Sequence, residues 1–296
     1  MISICIPIYN FNVVPLVKEL LRQIEGRQCE LLLIDDASTT FVIENSELHN
    51  ITNLIVLDQN IGRAQIRNLF LKHAKYEYLL FLDCDSLVEN NDFIDNYINI
   101  IQQGQAKVIC GGREYAKNAP DLERRLRWKY GVESESKPTI QRVRLPYRSF
   151  MTNNFIVRKD VLEQTRFDES LTLYGHEDTL FGFELKKKSV PIEHVDNPIR
   201  NGYLETNEEY LLKTEESIIN LVQIVRSISN PMEFCAEVRL LNYYQSVKKK
   251  KNIWSLKVLF FISRKRLLNK LLSGKATIKE FNFYKLMLLI KSLEGN

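Results

Sequence analysis

The chain has 296 residues, 45% hydrophobic and 26% charged, with eleven Gly and eight Pro, a globular balance that excludes disordered and collagen-like classes. Its formal charge of +4 is uneven, because residues 245–296 carry thirteen Lys or Arg against two acids, Glu280 and Glu294, leaving about −7 for the rest. Uninterrupted aliphatic or aromatic runs such as 258–262 reach only five residues, far short of the roughly 20 that a membrane-spanning helix needs.

The N-terminus, Met1 to Pro7, has no basic segment, long apolar core or small-residue cleavage site, so a cytoplasmic protein is expected. Ile2 to Ile8 reads as a first strand. After Tyr9-Asn10, Val13, Leu16, Val17, Leu20, Leu21 and Ile24 recur at helical spacing, with Asn12 as the expected N-cap and Pro15 in the first turn. Glu30 to Ile34 is a second strand ending in Asp35-Asp36-Ala37-Ser38, and Leu54 to Leu57 a third. Gly62-Arg63 leads into a helix bearing Ala64, Ile66, Leu69, Phe70 and Ala74. Tyr78 to Leu82 is a continuous apolar strand, followed at once by Asp83-Cys84-Asp85. A helix with Phe93, Ile94, Tyr97, Ile98 and Ile101 precedes a strand from Ala106 to Cys110, ended by Gly111-Gly112.

From Arg113 to Ser149 the periodicity dissolves, and a mobile substrate loop with one short helix is expected. Order returns with Phe155 to Val157, the loop Leu173 to Asp178, a helix to about Lys188 and a strand from Val190 to Val195. Beyond Leu204 nearly everything reads as helical, so the expected division is 1–204 for an α/β domain and 205–296 for a helical, basic region. The five cysteines are widely spaced and without a paired zinc pattern, and are expected as free thiols.

In open parallel sheets ligands bind beyond the carboxyl ends of the strands. Here those ends carry Asp35, Asp36, Asp83 and Asp85, which repel one another unless a cation or hydrogen-bond donors compensate them. A hard divalent metal, Mn²⁺ or Mg²⁺, is expected to do so, since oxygen ligands suit these ions better than Zn²⁺. Alternate residues leaving a strand point the same way, so the two carboxylates of Asp83-Cys84-Asp85 can address one ligand complex.

Four segments in order, Ile4 to Asn10, Leu33 to Ser38, Asn60-Ile-Gly-Arg63 with Arg67-Asn68, and Phe81 to Asp85, followed by Gly175-His-Glu-Asp178, resemble the family 2 glycosyltransferases. The resemblance covers roughly residues 1–204 and implies a GT-A fold: Rossmann-like α/β, a mostly parallel central sheet flanked by helices, here with a C-terminal helical extension. It implies an inverting enzyme that takes a sugar from a nucleoside-diphosphate donor, a UDP-sugar in the first instance. By the same resemblance Pro7 and Tyr9 line the base pocket, Asp36 accepts a hydrogen bond from the base, and Arg63 and Arg67 face the diphosphate. Arg67 could equally pack against Asp35 or another strand-end acid. Asp83 is implied at the ribose or metal-bound waters, Asp85 as metal ligand, and Asp178 as catalytic base; Gly112, His176 and Glu177 are placed at the sugar or acceptor pocket.

Relatives often carry a histidine beyond the Glu-Asp helix as a further metal ligand, and here Arg200 and Asn201 stand in that region. His194 is the nearest substitute, with a structural histidine inside an apolar strand as the competing reading, while Arg200 could supply positive charge directly. The segment Asn252 to Ile262 with Ser263-Arg-Lys-Arg266 joins aromatic anchors to cations, which suggests an anionic membrane surface as partner of 245–296 and a peripheral position on the inner face of the cell membrane. A glycan or lipid-linked acceptor in cell-surface polysaccharide or glycolipid synthesis is then expected. A sugar nucleotidyltransferase would show a Gly-rich basic loop after the first strand, where this chain has Tyr9-Asn-Phe-Asn12. A nucleic-acid binder has no use for the acidic cluster, and no nucleic-acid partner is expected.

Overall fold

A computed structural model describes residues 1–104 and 106–295, and the chain divides into two compact units. A sheet unit comprises 1–115, 136–172 and 177–203; a helical unit comprises 116–135, 173–176 and 204–296. Residues 116–135 and 173–176, inside the 1–204 range of the sequence reading, thus belong to the helical unit.

The strands and helices of the sheet unit open in alternation: β1 (Ile2–Ile8), α1 (Val14–Ile24), β2 (Cys29–Asp35), α2 (Val42–Ser46), β3 (Asn53–Val56), α3 (Arg63–His73) and β4 (Tyr78–Leu82). Then follow β5 (Ser86–Leu87), α4 (Phe93–Gln102), β6 (Val108–Cys110) and β7 (Arg113–Glu114). The main sheet has seven strands and is completed by β8 (Asn154–Arg158) and β9 (Ile192–His194), in the order β3-β2-β1-β4-β8-β6-β9. β8 runs antiparallel to both β4 and β6, while the other neighbours are parallel.

Strand periodicity explains the layers. Ile2, Ile4, Ile6 and Ile8 of β1, with Leu31 and Leu33 of β2 and Leu80 and Leu82 of β4, pack on α1 and on Phe93, Ile94 and Tyr97 of α4. The alternate residues Cys5, Leu32, Ile34, Leu79 and Phe81 face Ala64, Ile66 and Phe70 of α3. Apart from Ser3 of β1 and Glu30 and Asp35 of β2, the residues of these strands are apolar for one layer or the other, which accounts for the continuous apolar runs. β8 enters this core through Phe155, stacked on Phe81 at 5.0 Å between centroids.

α1 departs from its expected cap: Val13 occupies the N-cap without a side-chain bond, and Asn12 Oδ1 accepts from the Val14 amide at 3.1 Å. The expected loop from Arg113 to Ser149 is largely structured, with β7, α5 (Arg125–Tyr130), a π-helical turn over Gly131–Glu135, α6 (Thr139–Arg144) and a 3₁₀ turn over Tyr147–Ser149. These elements are too short to show periodicity. α7 (Lys159–Gln164) and α8 (Glu177–Lys187) complete the helices of the sheet unit. β10 (Ile199–Asn201) pairs with β5 and β7 in a separate three-stranded sheet.

The helical unit contains α5 with α9 (Asn207–Ser227), α10 (Pro231–Glu237), α11 (Arg239–Lys249), α12 (Ile253–Leu272) and α13 (Ile278–Glu294). α9 and α13 both begin with capping boxes, Thr206 with Glu209 and Thr277 with Glu280. Leu126, Tyr210, Leu211, Leu267, Leu271, Phe281 and Tyr284 form its core. No helix among the described residues is long and apolar enough to cross a membrane.

Candidate active site

The carboxyl ends of β1, β2 and β4 place Tyr9-Asn10, Asp35-Asp36 and Asp83-Cys84-Asp85 along one edge of the sheet, and backbone contacts bind the first two loops together. Asn10 and Ala37 adopt left-handed backbone conformations, with φ of 51° and 59°. The Asn10 amide donates to Ser38 Oγ at 2.8 Å, while Asn10 Oδ1 accepts from the Thr39 amide at 2.7 Å and the Thr40 amide at 3.1 Å. Asp35 is turned inward, accepting from the Ser38 amide at 2.7 Å. Pro7 is half-buried and the Tyr9 ring is exposed above this frame.

Asp36 fastens the next loop. Its two oxygens accept from the Ile61 amide at 2.7 Å and the Gly62 amide at 3.0 Å, and Asn60 Nδ2 donates to the Asp36 carbonyl at 3.2 Å. Burial raises the Asp36 carboxyl above its ordinary value, against those two amide bonds. Gly62 sits at φ +83° as the N-cap of α3, a conformation that glycine adopts at little cost.

α3 carries Arg63 and Arg67 one turn apart. The buried Arg67 joins two acids: its Nη2 lies 3.2 Å from Asp83 Oδ1 and its Nη1 lies 3.5 Å from Glu177 Oε1. Arg63 Nε lies 3.6 Å from the same Glu177 oxygen. Of the alternatives open for Arg67, the geometry selects the strand-end acid. The guanidinium also stands over the Phe167 ring at 5.7 Å, while Asn68, the next residue, pairs with the Phe167 backbone at 2.9 and 3.0 Å. Burial alone would push the Asp83 carboxyl up, but the charges of Arg67, Arg63 and Arg113 outweigh it and hold Asp83 below its ordinary value.

The compensation expected from a metal is therefore supplied in large part by the protein: amides for Asp35 and Asp36, guanidinium groups for Asp83. Among the described residues no three His, Cys, Asp or Glu side chains converge on a metal position. Burial and the neighbouring charges of Asp85 and Asp83 push the Cys84 thiol up to about 12, so it stays protonated at neutral pH. Asp83 and Asp85, two residues apart, form an oxygen-only pair of the kind that suits a hard divalent ion. The small sheet braces this loop from behind: the Gly202 amide donates to the Asp85 carbonyl at 2.8 Å, and a Cβ at Gly202 would meet that oxygen at 2.6 Å.

Glu177 and Asp178 open α8. Asp178 Oδ1 accepts from the Thr179 amide at 2.6 Å and from Thr179 Oγ1 at 3.2 Å. Burial first, then the adjacent Glu177 charge, raise the Asp178 carboxyl to about 6. His176 lies in the helical unit with φ +68°, in a loop whose Leu173 and Gly175 carbonyls accept from Asn220 Nδ2 at 2.8 and 3.0 Å.

His194, the substitute considered for the further metal ligand, is placed among polar partners. Its Nδ1 lies 3.1 Å from Arg142 Nη1 and its Nε2 lies 2.9 Å from the Pro146 carbonyl, so both ring nitrogens are engaged in the core. Arg200, the alternative source of charge, pairs instead with Glu89, its Nε 2.8 Å from the carboxylate.

Several site-shaping residues escape sequence reading. Arg142 donates to the Cys110, Gly111 and Val195 carbonyls at 3.0, 3.2 and 2.7 Å. Asn154 accepts from the Tyr97 hydroxyl at 2.6 Å and donates to the Gly112 and Asn197 carbonyls at 3.0 and 2.9 Å. Together they set the turn at Gly112, whose φ is +96°. The available signal was the polar pair Asn153-Asn154 at the start of a buried apolar strand, a position that needs specific partners.

This arrangement, a largely parallel sheet with its acidic strand ends on one edge, is the GT-A glycosyltransferase fold. It is shared by a mannosyltransferase from Pyrobaculum calidifontis solved with GDP-Man and Mn²⁺, at TM-score 0.55 and 13% identity over 100% of this chain and 88% of that one. Glucosyl-3-phosphoglycerate synthase from Mycobacterium tuberculosis, solved with Mn²⁺ and UDP-Glc, superposes at TM-score 0.53 and 12% identity over 75% of this chain and 78% of that one. The glycosyl transferase family 2 profile matches residues 3–166, more than half of the chain, and the chain belongs to that family. Among curated proteins it is similar to glycosyltransferase GlyG of Streptococcus pneumoniae, 29% identical over 121 residues, 38% of each chain. It also matches chondroitin synthase of Escherichia coli, 24% identical over 200 residues, 56% of this chain and 29% of that protein. The chain thus spans under two fifths of the length of these two relatives.

Proposed function

We propose that this chain transfers a sugar from a nucleoside-diphosphate donor, a UDP-sugar in the first instance, to a hydroxyl of a glycan or lipid-linked acceptor in polysaccharide or glycolipid synthesis, with inversion. The observation that carries the reading is Arg67: one buried guanidinium joins Asp83, at the end of β4, to Glu177, beside Asp178 at the start of α8. The loop read here as facing the diphosphate and the neighbour of the candidate base are thereby held by one side chain.

In this reading Pro7, Tyr9 and the Asp36 loop receive the nucleobase, with Arg63 on the diphosphate side. Asp85 would hold Mn²⁺ or Mg²⁺, with Asp83 at the ribose or the metal-bound waters, and the ion when bound supplies charge compensation for the departing diphosphate. Gly112 borders the sugar, and His176 and Glu177 belong to the acceptor side. Asp178 takes the proton from the acceptor hydroxyl as its oxygen bonds to the anomeric carbon. The carbon–oxygen bond to the diphosphate breaks with its electron pair leaving on the nucleotide, and a single displacement inverts the centre. A carboxyl titrating near 6 is ionised at neutral pH yet basic enough to accept that proton.

The test measures thermal stabilisation by UDP- and GDP-sugars with and without Mn²⁺, followed by transfer to a panel of glycan and lipid-linked acceptors. Donor-dependent stabilisation that requires Mn²⁺ and is abolished by Asp85→Ala is expected. Asp178→Asn should keep donor binding and lower transfer by about 10²- to 10⁴-fold. No stabilisation by any donor, or full transfer by Asp178→Asn, would overturn the donor or the base assignment respectively.

A further inference from the structure

We propose that α12 docks the protein on an anionic phospholipid bilayer, lying along the interface with one apolar stripe in the lipid; this goes beyond the transfer reaction and holds whether or not the chain performs it. α12 turns Leu267 and Leu271 into the core of the helical unit. On the opposite side Trp254, Phe261 and Ile262 are 76%, 85% and 75% exposed, and Val258 and Leu272 also reach solvent. At 100° per residue Trp254, Val258, Phe261 and Leu272 fall within about 60° of one another, with Ile262 at the margin; Lys265 falls on the same line, where its stem can lie along the apolar face while its charge reaches the headgroups, and exposed Leu259 lies off it.

Charge decides among possible occupants of that stripe. α12 carries Lys257, Arg264, Lys265, Arg266 and Lys270 and no acid, and the Lys248–Lys251 run lies just before it. Lys257 and Lys270 are paired with Glu294 at 3.1 Å and Glu280 at 2.5 Å. Lys265, which falls within the stripe, and Arg266 beside it line, with Ile262, Asn269 and Ser273, a shallow recess of about 470 Å³. A second copy docked through α12 would set these cations against their own kind. A nucleic acid would leave Trp254, Phe261 and Ile262 without a partner. An anionic bilayer accepts both features: phosphate headgroups meet Lys265 and Arg266, and the acyl boundary takes the rings, with tryptophan at the depth it favours.

The full chain is to be sedimented with vesicles of phosphatidylcholine and phosphatidylglycerol in equal parts, and with phosphatidylcholine alone. Binding to the mixed vesicles at least about tenfold stronger than to neutral ones is expected, weakening as salt is raised. Trp254→Ser with Phe261→Ser and Ile262→Ser, all at exposed positions, should lower it about tenfold or more, as should Lys265→Glu with Arg266→Glu. Vesicle binding should shift tryptophan emission to the blue, and Trp254→Phe should remove the shift, because the other tryptophan, Trp128, is held by its Nε1 on the Ala116 carbonyl at 2.7 Å. Failure to bind mixed vesicles, equal binding to neutral ones, or undiminished binding by the triple variant would overturn the proposal. A wild type that is dimeric in solution with a monomeric triple variant would assign the stripe to a second copy instead.

Discussion

The two sides of the candidate site are built from different materials. At the end of β2 the acids are satisfied by backbone: Asp35 by the Ser38 amide, Asp36 by the Ile61 and Gly62 amides. Between β4 and α8 they are satisfied by side-chain charge, with Arg67 between Asp83 and Glu177, and Asp178 is left raised to about 6 beside the Glu177 charge. Amide clamps fix loop geometry. A charge clamp can be tuned by what binds there, because anions and cations of a substrate complex enter the same balance of charges.

The largest break in this comparison should come from Arg67→Met. It leaves Asp83 and Glu177 without their shared cation in a dry site, and a loss of about 3–5 kcal/mol is expected in denaturant unfolding. A variant as stable as the wild type would show that the guanidinium is not what holds the two acids.

On the amide side, Asp36→Asn should cost less, about 1–3 kcal/mol, because the new amide group must face one of the Ile61 and Gly62 donors. Equal losses in the two variants would erase the distinction drawn between the sides.

A third effect is a pH dependence. Asp178 titrates at about 6 in the folded chain against an ordinary value of 3.8, so the folded state binds that proton more tightly than the unfolded one. Its contribution to stability is present below the unfolded value and lost as pH rises through 6. Asp178→Asn should therefore unfold at a higher temperature than wild type at pH 8, with the gain vanishing toward pH 4. Wild-type transfer should rise on the alkaline limb of the same titration. A gain that persists unchanged at pH 4 would remove the raised carboxyl as its cause.

Legibility followed local pattern. β1, β2 and β4 could be placed because their residues are buried on both faces, which forces continuous apolar runs, and the acids after them stand out because a buried strand cannot continue through them. Histidine 194 was ambiguous for the opposite reason: an apolar strand says that a side chain is inside, but only its partners Arg142 and Pro146, 52 and 48 residues away, say what it does there. The stretch 113–149 resisted because α5, α6 and the turns between them span too few residues to repeat a pattern.

α12 is the reverse case, since its composition was plain and its geometry was not. The sequence showed aromatic residues and cations without a clean face, and only the packing of Leu267 and Leu271 against the helical unit reveals which side is left to solvent.

By itself the sequence determined the alternating α/β order, the acidic strand ends and the family, because each is written in adjacent residues and their period. Tertiary structure alone decided that β8 enters antiparallel between β4 and β6, that Arg67 joins Asp83 to Glu177, and that His194 belongs to the core. Those outcomes depend on residues tens of positions apart meeting in a packed interior, where burial makes each unpaired charge or donor costly enough to select its partner.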